Sequence, residues 1–287
     1  MRSQQKYPRT FSFEFYPPKS DEGKEKLRLT RDALARLHPA FISVTFGAGG
    51  STQQGTLETV SEIQAAGINA APHLSCIGSA RAELRRILMT YRDLGIRRIV
   101  ALRGDMPSGM REAGEFRHAN ELVAFIRAET GDHFHIEVAA YPEFHPQAPS
   151  AQADLHNFKR KVEAGADGAI TQYFYSVEAY LRFIEDCEQL GVDVPITPGI
   201  MPITNYSQLA RFSDACGAEI PRWVRKRLEG YADDRESIRR FGLEVVSALC
   251  EKLLEQGAPG LHFYTMNQAG PSIAIWNHLG LPTATLQ

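Results

Sequence analysis

Short stretches rich in β-branched and aromatic residues alternate with longer amphipathic stretches along the whole chain. This alternation is typical of repeated β/α units around a parallel sheet. We predict eight strands, at residues 11–16, 41–46, 69–75, 98–102, 136–141, 168–174, 194–200 and 261–265.

Apolar residues recur at helical spacing between these strands, and several of the helical segments end at a glycine suited to a helix C-terminus. The connection before the last strand is longer than the others and contains a segment that starts at Pro221. We therefore expect a single extra helical insertion there. The predicted helices include residues 82–94, 119–129, 150–164, 177–190 and 235–256.

Eight β/α units in about 250 residues predict an α/β fold of the TIM (β/α)8 barrel type. No linker-like composition divides the chain, so residues 1–287 are expected to form a single domain. A doubly wound sheet has fewer strands and opens with a glycine fingerprint. The glycine cluster at residues 46–52 lacks that spacing, and we interpret it as a tight turn with Ser51 or Thr52 as helix N-cap.

Composition and charge argue against polymer-binding roles. The chain is 43% hydrophobic and 23% charged, with a net charge of −2. No strong field therefore favours nucleic acid or an anionic membrane. Neither a leader-like apolar segment nor an 18-residue apolar run is present. The four cysteines show no C-x-x-C spacing, so we expect reduced thiols and a cytoplasmic location.

Polar residues collect at the carboxyl ends of the predicted strands. In a TIM barrel this end carries the active site, whereas the opposite end serves stability. Seven of the eight strands follow this pattern, which packing alone explains poorly. The residues are Glu14, Thr45, His73, Arg103, Asp105, Tyr141, Glu143, His145, Gln172, Tyr264 and Asn267.

Glu14 is the single residue for which the sequence gives the most specific functional prediction. Period-2 alternation places Phe11, Phe13 and Phe15 on the helix-facing side and Glu14 inside the barrel. Desolvation there is expected to raise the pKa of the carboxyl group and suit it to donate a proton near neutral pH. The alternative is a structural carboxylate paired with a lysine or arginine.

Arg103, Gly104 and Asp105 end the fourth predicted strand. Gly104 allows close approach of a ligand to the backbone, and Asp105 can place negative charge beside a developing cation. The alternative is a surface Arg–Asp pair on a loop.

The helix that begins near residue 150 carries Asp154, Asn157, Arg160 and Lys161 at spacings that share one face. This face either binds an anionic ligand or is simply solvated, and the sequence favours neither interpretation.

A metal site or a covalent hydrolase is not indicated. His133 and His135 form an H-x-H pair, but they lie at the start of the fifth strand, on the stability face. No metal-spaced cluster accompanies them. No G-x-S-x-G elbow is present either.

Taken together, several motifs resemble the methylenetetrahydrofolate reductase family nearly from end to end. They occur in the family's order and with similar spacing. The motifs begin at Ser12 (SFEFYPP), Ala71 (APHL), Ala101 (ALRGD), Ala139 (AAYPE), Ser150 (SAQAD), Lys159 (KRK), Ala169 (AITQ), Pro198 (PGI) and His262 (HFYT).

The resemblance implies a bacterial-type flavoprotein barrel that reduces 5,10-methylenetetrahydrofolate to 5-methyltetrahydrofolate by ping-pong hydride transfer from NAD(P)H through FAD. This activity belongs to one-carbon metabolism and methionine biosynthesis. Glu14 corresponds to the general acid that protonates folate N10, and Asp105 to the carboxylate that stabilises the iminium cation. The implied partners are these small molecules, with no nucleic acid and no membrane, and a homo-oligomer is expected.

The resemblance also assigns binding residues. Gln53-Gln54-Gly55, His118 and Gln268 depart from the common family residues. The implied flavin contacts are Thr45, His73, Arg103, Gly104, Asp105, His118, Ala119, Tyr141, His145, Asp154, Asn157, Arg160 and Lys161, and the implied substrate contacts are Gln172, Gln208, Phe212 and Gln268.

Two other functions stay open at this stage. One is a flavin-independent folate-dependent methyltransferase or demethylase on a related barrel. The other is a non-catalytic flavin-binding or folate-binding protein, against which the buried acid Glu14 argues because binding alone needs no such group.

Overall fold

The computed structural model describes residues 1–46, 53–105 and 114–283. The turn expected around Ser51 and Thr52 lies outside these ranges. Among the described residues, all strand pairs are parallel, and the sheet order is β7-β6-β5-β4-β3-β2-β1-β9-β8. The strands are β1 (Thr10–Phe15), β2 (Phe41–Val44), β3 (Ala70–Ser75), β4 (Arg98–Leu102), β5 (His135–Ala140), β6 (Gly168–Thr171), β7 (Ile196–Thr197), β8 (Gly199–Ile200) and β9 (Gly260–Tyr264).

The predicted TIM barrel is confirmed, with one correction at the seventh predicted strand. Residues 194–200 do not form one continuous strand but two short ones, β7 and β8, on either side of Pro198. Proline has no N–H for the ladder, whereas its carbonyl oxygen accepts a hydrogen bond from His262 N at 2.9 Å. Because β7 pairs with β6 and β8 with β9, this broken strand closes the barrel.

The helices follow the predicted β/α alternation. Ser20, Ser150, Ser176 and Asn205 cap the helices that they precede by accepting backbone N–H groups. The helices are α1 (Arg2–Gln5), α2 (Asp21–Ala35), α3 (Gln53–Ala65), α4 (Arg81–Asp93), α5 (Ala119–Thr130), α6 (Ala151–Glu163), α7 (Val177–Gln189), α8 (Tyr206–Cys216), α9 (Arg222–Gly230), α10 (Arg235–Glu255) and α11 (Ala269–His278).

The extra helical insertion expected before the last strand is confirmed in the connection between β8 and β9. The segment after Pro221 forms α9, and residues 235–255 form α10. Helix α8, which the sequence analysis did not predict, precedes them in the same connection. Asn205 accepts the N–H of Gln208 at 2.9 Å and starts α8, and Gly217 ends it with a positive φ of 76°.

The main core lies between the barrel and its helices. The predicted alternation in β1 is confirmed, since Phe13 and Phe15 are buried and Phe13 packs against Phe263 and Trp276 with ring centroids 5.6 and 6.0 Å apart. Phe11 contacts the same tryptophan at 5.1 Å. The opposite faces of the strands fill the barrel interior, where the site described next is located.

Candidate active site

Glu14 lies inside the barrel between two histidines. Its Oε2 atom is 3.3 Å from Nε2 of His73 on β3 and 3.6 Å from Nε2 of His262 on β9. Neither contact is aligned as a hydrogen bond, so both ring nitrogens lack a hydrogen-bond partner among the described residues. The Glu14 side chain is only 18% exposed, and His262 is fully buried. The three side chains thus form one compact acid–base cluster.

The prediction of a raised pKa for Glu14 is wrong. Burial acts to raise its pKa, but His262 and His73 outweigh burial and lower the pKa to about 2. A nearby group that carries or donates a proton stabilises the carboxylate form. The structural alternative of pairing with lysine or arginine is not seen either, because the charged partners of Glu14 among the described residues are the imidazoles of His73 and His262.

His262 is a site residue that the sequence reasoning left without a role. Its other ring nitrogen, Nδ1, lies 2.7 Å from Oγ of Ser12, two residues before Glu14 on the same face of β1. Ser12, Glu14 and His262 therefore form a connected polar chain across the β1–β9 pair. The available signal was the period-2 relation between His262 and Tyr264, which turns both side chains inward.

Tyr264 connects this cluster to the rest of the barrel mouth. Its hydroxyl donates to the carbonyl oxygen of Thr171 at 2.7 Å. A side chain at Gly199 would collide with the same region, since an added Cβ would lie 2.1 Å from Thr171 O and 2.6 Å from Tyr264 Cε2. Glycine at this position makes room for the tyrosine ring.

Gly104 forms a backbone cradle after β4. Its φ is +83°, and an added Cβ would lie 2.9 Å from Ser75 Cβ. The neighbouring Arg103 donates to Gln147 Oε1 at 2.6 Å. Asp105 is exposed at the end of this segment. The alternative of a surface pair between Arg103 and Asp105 is not seen, because the Arg103 side chain hydrogen bonds to Gln147 and Gly104 instead.

A second cluster joins the loop after β5 to helix α6. Tyr141 and His145 pack edge to face with centroids 4.7 Å apart, and Asp154 Oδ2 accepts the His145 N–H at 2.9 Å. Lys161 donates to the carbonyl oxygen of Ala139. Burial lowers the pKa of Lys161 to about 8, and burial with the charges of Asp154 and Asp105 raises that of Tyr141 to about 12.

The shared face predicted for α6 is divided in the structure. Asp154 and Lys161 turn toward β5 and its loop, whereas Asn157 and Arg160 are exposed and hydrogen bond to each other. The inward pair therefore lies at the barrel mouth, and the outward pair lies on its rim.

Polar groups and open backbone at the barrel mouth are available to bind a cofactor. Thr45 Oγ1 is buried at the end of β2 with no hydrogen-bond partner among the described residues. Buried polar atoms are normally satisfied, so this hydroxyl points to a ligand. Together with the Gly104 cradle and the Lys161 cation, Thr45 fits a flat, polar-edged ring that carries an anionic chain.

The remaining expected contacts lie around the mouth. His118 and Ala119 start α5, where Glu121 accepts the His118 N–H at 3.1 Å. The Gln172 side chain accepts the N–H of Tyr173 at 3.0 Å just after β6. The others are on neighbouring helices: Gln208 and Phe212 on α8, and Gln268 as the N-cap residue of α11.

The opposite end of the barrel holds a second buried charge cluster. His135 Nε2 lies 3.1 Å from Glu137 Oε1, and Arg98 forms an ion pair with the same carboxylate. His133 and His135 therefore lie at the start of β5, as expected. The described residues contain no group of three or more His, Cys, Asp or Glu side chains that could hold a metal ion.

Two further features concern the cysteines and the hydropathy of the helices. All four cysteines are free thiols. No helix within residues 1–46, 53–105 and 114–283 is both long enough and apolar enough to cross a membrane.

Comparison with known proteins gives consistent matches. The sequence profile of the methylenetetrahydrofolate reductase family matches residues 1–280. The chain is 45% identical over 271 residues to 5,10-methylenetetrahydrofolate reductase of Salmonella typhimurium, which covers 94% of this chain and 90% of that protein. Identity to the protein of the same name from Escherichia coli is 44%, with the same coverage. Methylenetetrahydrofolate reductase (NADH) 1 of Arabidopsis thaliana is 40% identical over 285 residues, which are 94% of this chain but 48% of that one.

A solved structure with low sequence identity has the same fold. An uncharacterized protein from Clostridium thermocellum, described as binding two copies of 5-methyl-5,6,7,8-tetrahydrofolic acid, superimposes with a TM-score of 0.65. Identity is 17%, with 98% of this chain and 95% of that chain covered. At this identity the match supports the barrel fold alone.

Proposed function

Since the chain belongs to the methylenetetrahydrofolate reductase family, we propose that it reduces 5,10-methylenetetrahydrofolate to 5-methyltetrahydrofolate with NAD(P)H as the electron donor. The observation that carries this proposal is the buried Glu14 carboxylate, held by His73 and His262 at the mouth of the barrel. A protein that only bound its ligand would gain nothing from such an acid–base cluster.

FAD is the cofactor that we propose for this site. Thr45 would bind the isoalloxazine ring with its unpartnered hydroxyl, Gly104 would allow close backbone approach, and Lys161 would neutralise the diphosphate. A bound flavin supplies two-electron hydride chemistry that amino-acid side chains lack. Tyr141, His145 and Asp154 support this region, while Arg160 and Asn157 extend it along the rim.

Glu14 is the proton donor to N10 of the folate in this proposal. Its low pKa means that the carboxyl group is ionised in the free protein at neutral pH, so Glu14 must take up a proton before it can donate one. Folate bound over Glu14 excludes water, which favours the neutral acid. Glu14 can then deliver the proton to the ring nitrogen as the imidazolidine ring opens.

Asp105 complements Glu14 electrostatically. Its exposed position beside the Gly104 cradle leaves the carboxylate available to face a cationic folate. A fixed negative charge there stabilises the iminium cation that ring opening produces. Gln172, Gln208 and Phe212 are proposed to hold the folate or nicotinamide on the same side.

We also propose the domain organisation, the location, the oligomeric state and the partners of the protein. Residues 1–287 would act as one catalytic domain in a cytoplasmic homo-oligomer, with small-molecule partners only. The folate ligand named for the Clostridium thermocellum protein is consistent with a pterin substrate on this barrel.

The absorbance spectrum of freshly purified protein tests the proposal. We expect flavin bands, release of FAD on denaturation, and NAD(P)H-dependent reduction of methylenetetrahydrofolate. FAD should be retained more weakly as the pH rises above 8, because Lys161 then loses its charge. A colourless protein that neither takes up added FAD nor reduces the folate would overturn the proposal.

A further inference from the structure

Phe41 on β2 contacts both of the buried charge clusters inside the barrel. Its ring stacks on the ring of His262, with centroids 5.9 Å apart and an angle of 24° between the planes. The guanidinium group of Arg98, from the cluster at the opposite end, lies 4.6 Å from the Phe41 centroid. Phe41 is 4% exposed. One buried phenyl ring therefore touches a member of each cluster.

The strand register explains how the Phe41 ring reaches His262. Ser12 on β1 is aligned with His262 on β9 and with Phe41 on β2. Strands on either side of β1 are about 10 Å apart, and the small serine side chain leaves the space between them open. The imidazole and phenyl rings meet across this space, while Ser12 Oγ lies 2.7 Å from His262 Nδ1.

The imidazole of His262 is also held by Tyr264. The two rings pack edge to face, with centroids 5.4 Å apart and an angle of 86°. The Tyr264 ring is itself fixed by the hydrogen bond from its hydroxyl to Thr171 O. Aromatic pairs at such distances and angles attract each other beyond simple burial. These contacts and the Ser12 hydroxyl leave Nε2 of His262 facing Glu14, 3.6 Å from Oε2.

Phe41 has little freedom to move away from His262. It packs with Ala71, Val100 and Ile170 in a small apolar cluster inside the barrel. Close-packed interiors hold such a ring in one position, because a shift would open a cavity. The phenyl ring is therefore a fixed wall for the imidazole.

We propose that Phe41 is a positioning residue for the proton transfer to folate, because its ring holds the His262 imidazole with Nε2 directed at Glu14. Phe41 acts through His262 rather than on the reacting atoms. The inference rests on the proposed function, and it gives a role in the reaction to an apolar residue of the barrel interior.

The predicted effect of losing Phe41 is a change in the proton affinity of Glu14. The ionisable groups that face Glu14 among the described residues are His73 from β3, and His262 and Tyr264 from β9. Burial raises the pKa of Glu14, and the strongest opposing influence is His262. If the imidazole tilts away, burial gains weight and the pKa of Glu14 rises.

The first test is the pH dependence of flavin reoxidation in Phe41→Leu. Glu14 donates only when protonated, so reoxidation by methylenetetrahydrofolate should slow as the pH rises through the pKa that Glu14 has in the folate complex. In Phe41→Leu this decline should occur about one pH unit higher than in wild type. Flavin reduction by NAD(P)H should keep its rate and pH profile. An unchanged profile of reoxidation would overturn the inference.

Phe134→Leu is the matched control for packing. Phe134 is 1% exposed and belongs to the core between the barrel and its helices. The same substitution there should lower the free energy of unfolding similarly but leave the reoxidation profile in place. An equal shift in this control would mean that any loss of core packing is enough, and the role of Phe41 would be refuted.

A double-mutant cycle shows whether Phe41 acts through His262. Arg98 and Glu137 also face His262, from β4 and β5 across the Phe41 ring, and they are retained in every variant. His262→Gln should shift the profile upward by itself, and adding Phe41→Leu to it should produce no further shift. Additive shifts would show that Phe41 acts by another route, against the proposal.

Nitrogen-15 spectra of the histidine rings give a readout that needs no turnover. The signals missing from His262→Gln identify His262. They should move in Phe41→Leu, because the ring is no longer fixed against Ser12, and stay in place in Phe134→Leu. Phe41→Met, which fills more of the space but has no ring, should act like Phe41→Leu and serves if the leucine variant does not fold.

The spectra also separate this inference from the proposed function. Failure of the wild-type protein to reduce any folate would overturn the proposed function, whereas His262 signals that move only with Phe41 would still support the positioning contact. Signals that stay unchanged in both Phe41 variants would overturn the positioning role alone.

Discussion

At the residue scale, the environment of Glu14 determines how its role can be tested. The carboxylate is stabilised by His73 and His262, which lower its pKa to about 2. Ionised glutamate and neutral glutamine have nearly the same size, so Glu14→Gln removes the proton-donating group with little change in packing.

We expect Glu14→Gln to separate the two half-reactions. Transfer of reducing equivalents from NAD(P)H to the flavin needs no general acid, so stopped-flow reduction should stay near the wild-type rate. Reoxidation by methylenetetrahydrofolate should slow by at least about a hundredfold, which is typical of losing a positioned acid. If both half-reactions slowed equally, Glu14 would act through structure or flavin binding. If neither changed, the proton would come from another group.

At the element scale, the broken strand around Pro198 matters because it both closes the barrel and borders the site. Gly199 N donates to Thr171 Oγ1 at 2.9 Å, and Tyr264 donates to Thr171 O on the same strand. Strand pairing and site geometry therefore depend on the same few atoms at β6, β8 and β9.

Gly199→Ala should destabilise the protein and displace Tyr264. The added methyl group meets the Thr171 carbonyl oxygen, a backbone atom that cannot move without disturbing β6. Overpacking of this kind costs about 1–3 kcal/mol or more in the free energy of unfolding. Chemical denaturation measures the loss.

Gly230→Ala is the matched control for that substitution. Gly230 ends α9, and nothing lies within 4 Å of an added Cβ. The same chemical change there should be neutral or stabilise by up to about 1 kcal/mol. Equal effects at both glycines would show that the close approach at Gly199 does not contribute to the free energy of unfolding.

At the scale of the whole molecule, the two ends of the barrel carry different charge clusters. Glu14 and its histidines lie at the carboxyl end of the strands, and Glu137 lies with Arg98 and His135 at the other end. Burial acts to raise the pKa of Glu137, but His135 and Arg98 outweigh it and keep the pKa below 4.5. Its ion pairing therefore stabilises the fold above pH 4.5 and is lost progressively as the pH falls below that value.

Glu137→Gln should affect stability without affecting catalysis. Removing one partner leaves the partly buried Arg98 without its counter-charge, which costs about 1–3 kcal/mol. The difference in free energy of unfolding between wild type and variant should be largest at neutral pH and shrink below pH 4.5. The kcat/KM for folate should stay unchanged. A large loss of activity in a stably folded variant would contradict the assignment of this end of the barrel to stability.

The sequence by itself determined the class of fold and the direction in which the site faces. Alternation in β1 places Glu14 inside and the phenylalanines outside, because side chains of a strand point to opposite faces in turn. The polar strand ends indicated the catalytic face for the same local reason, and the run of motifs indicated the family. These features depend on neighbouring residues, so one chain segment is enough to reveal them.

Only the tertiary structure decided which distant groups meet. His73 and His262 come from strands far from Glu14 in sequence, and their contact with it reverses the pKa shift that burial alone would produce. The divided face of α6 also depends on partners elsewhere in the chain, since Asp154 binds the His145 N–H and Lys161 binds the carbonyl oxygen of Ala139. Barrel closure brings these groups together, and the energies of such contacts depend on distances across the barrel, which no local pattern of residues encodes.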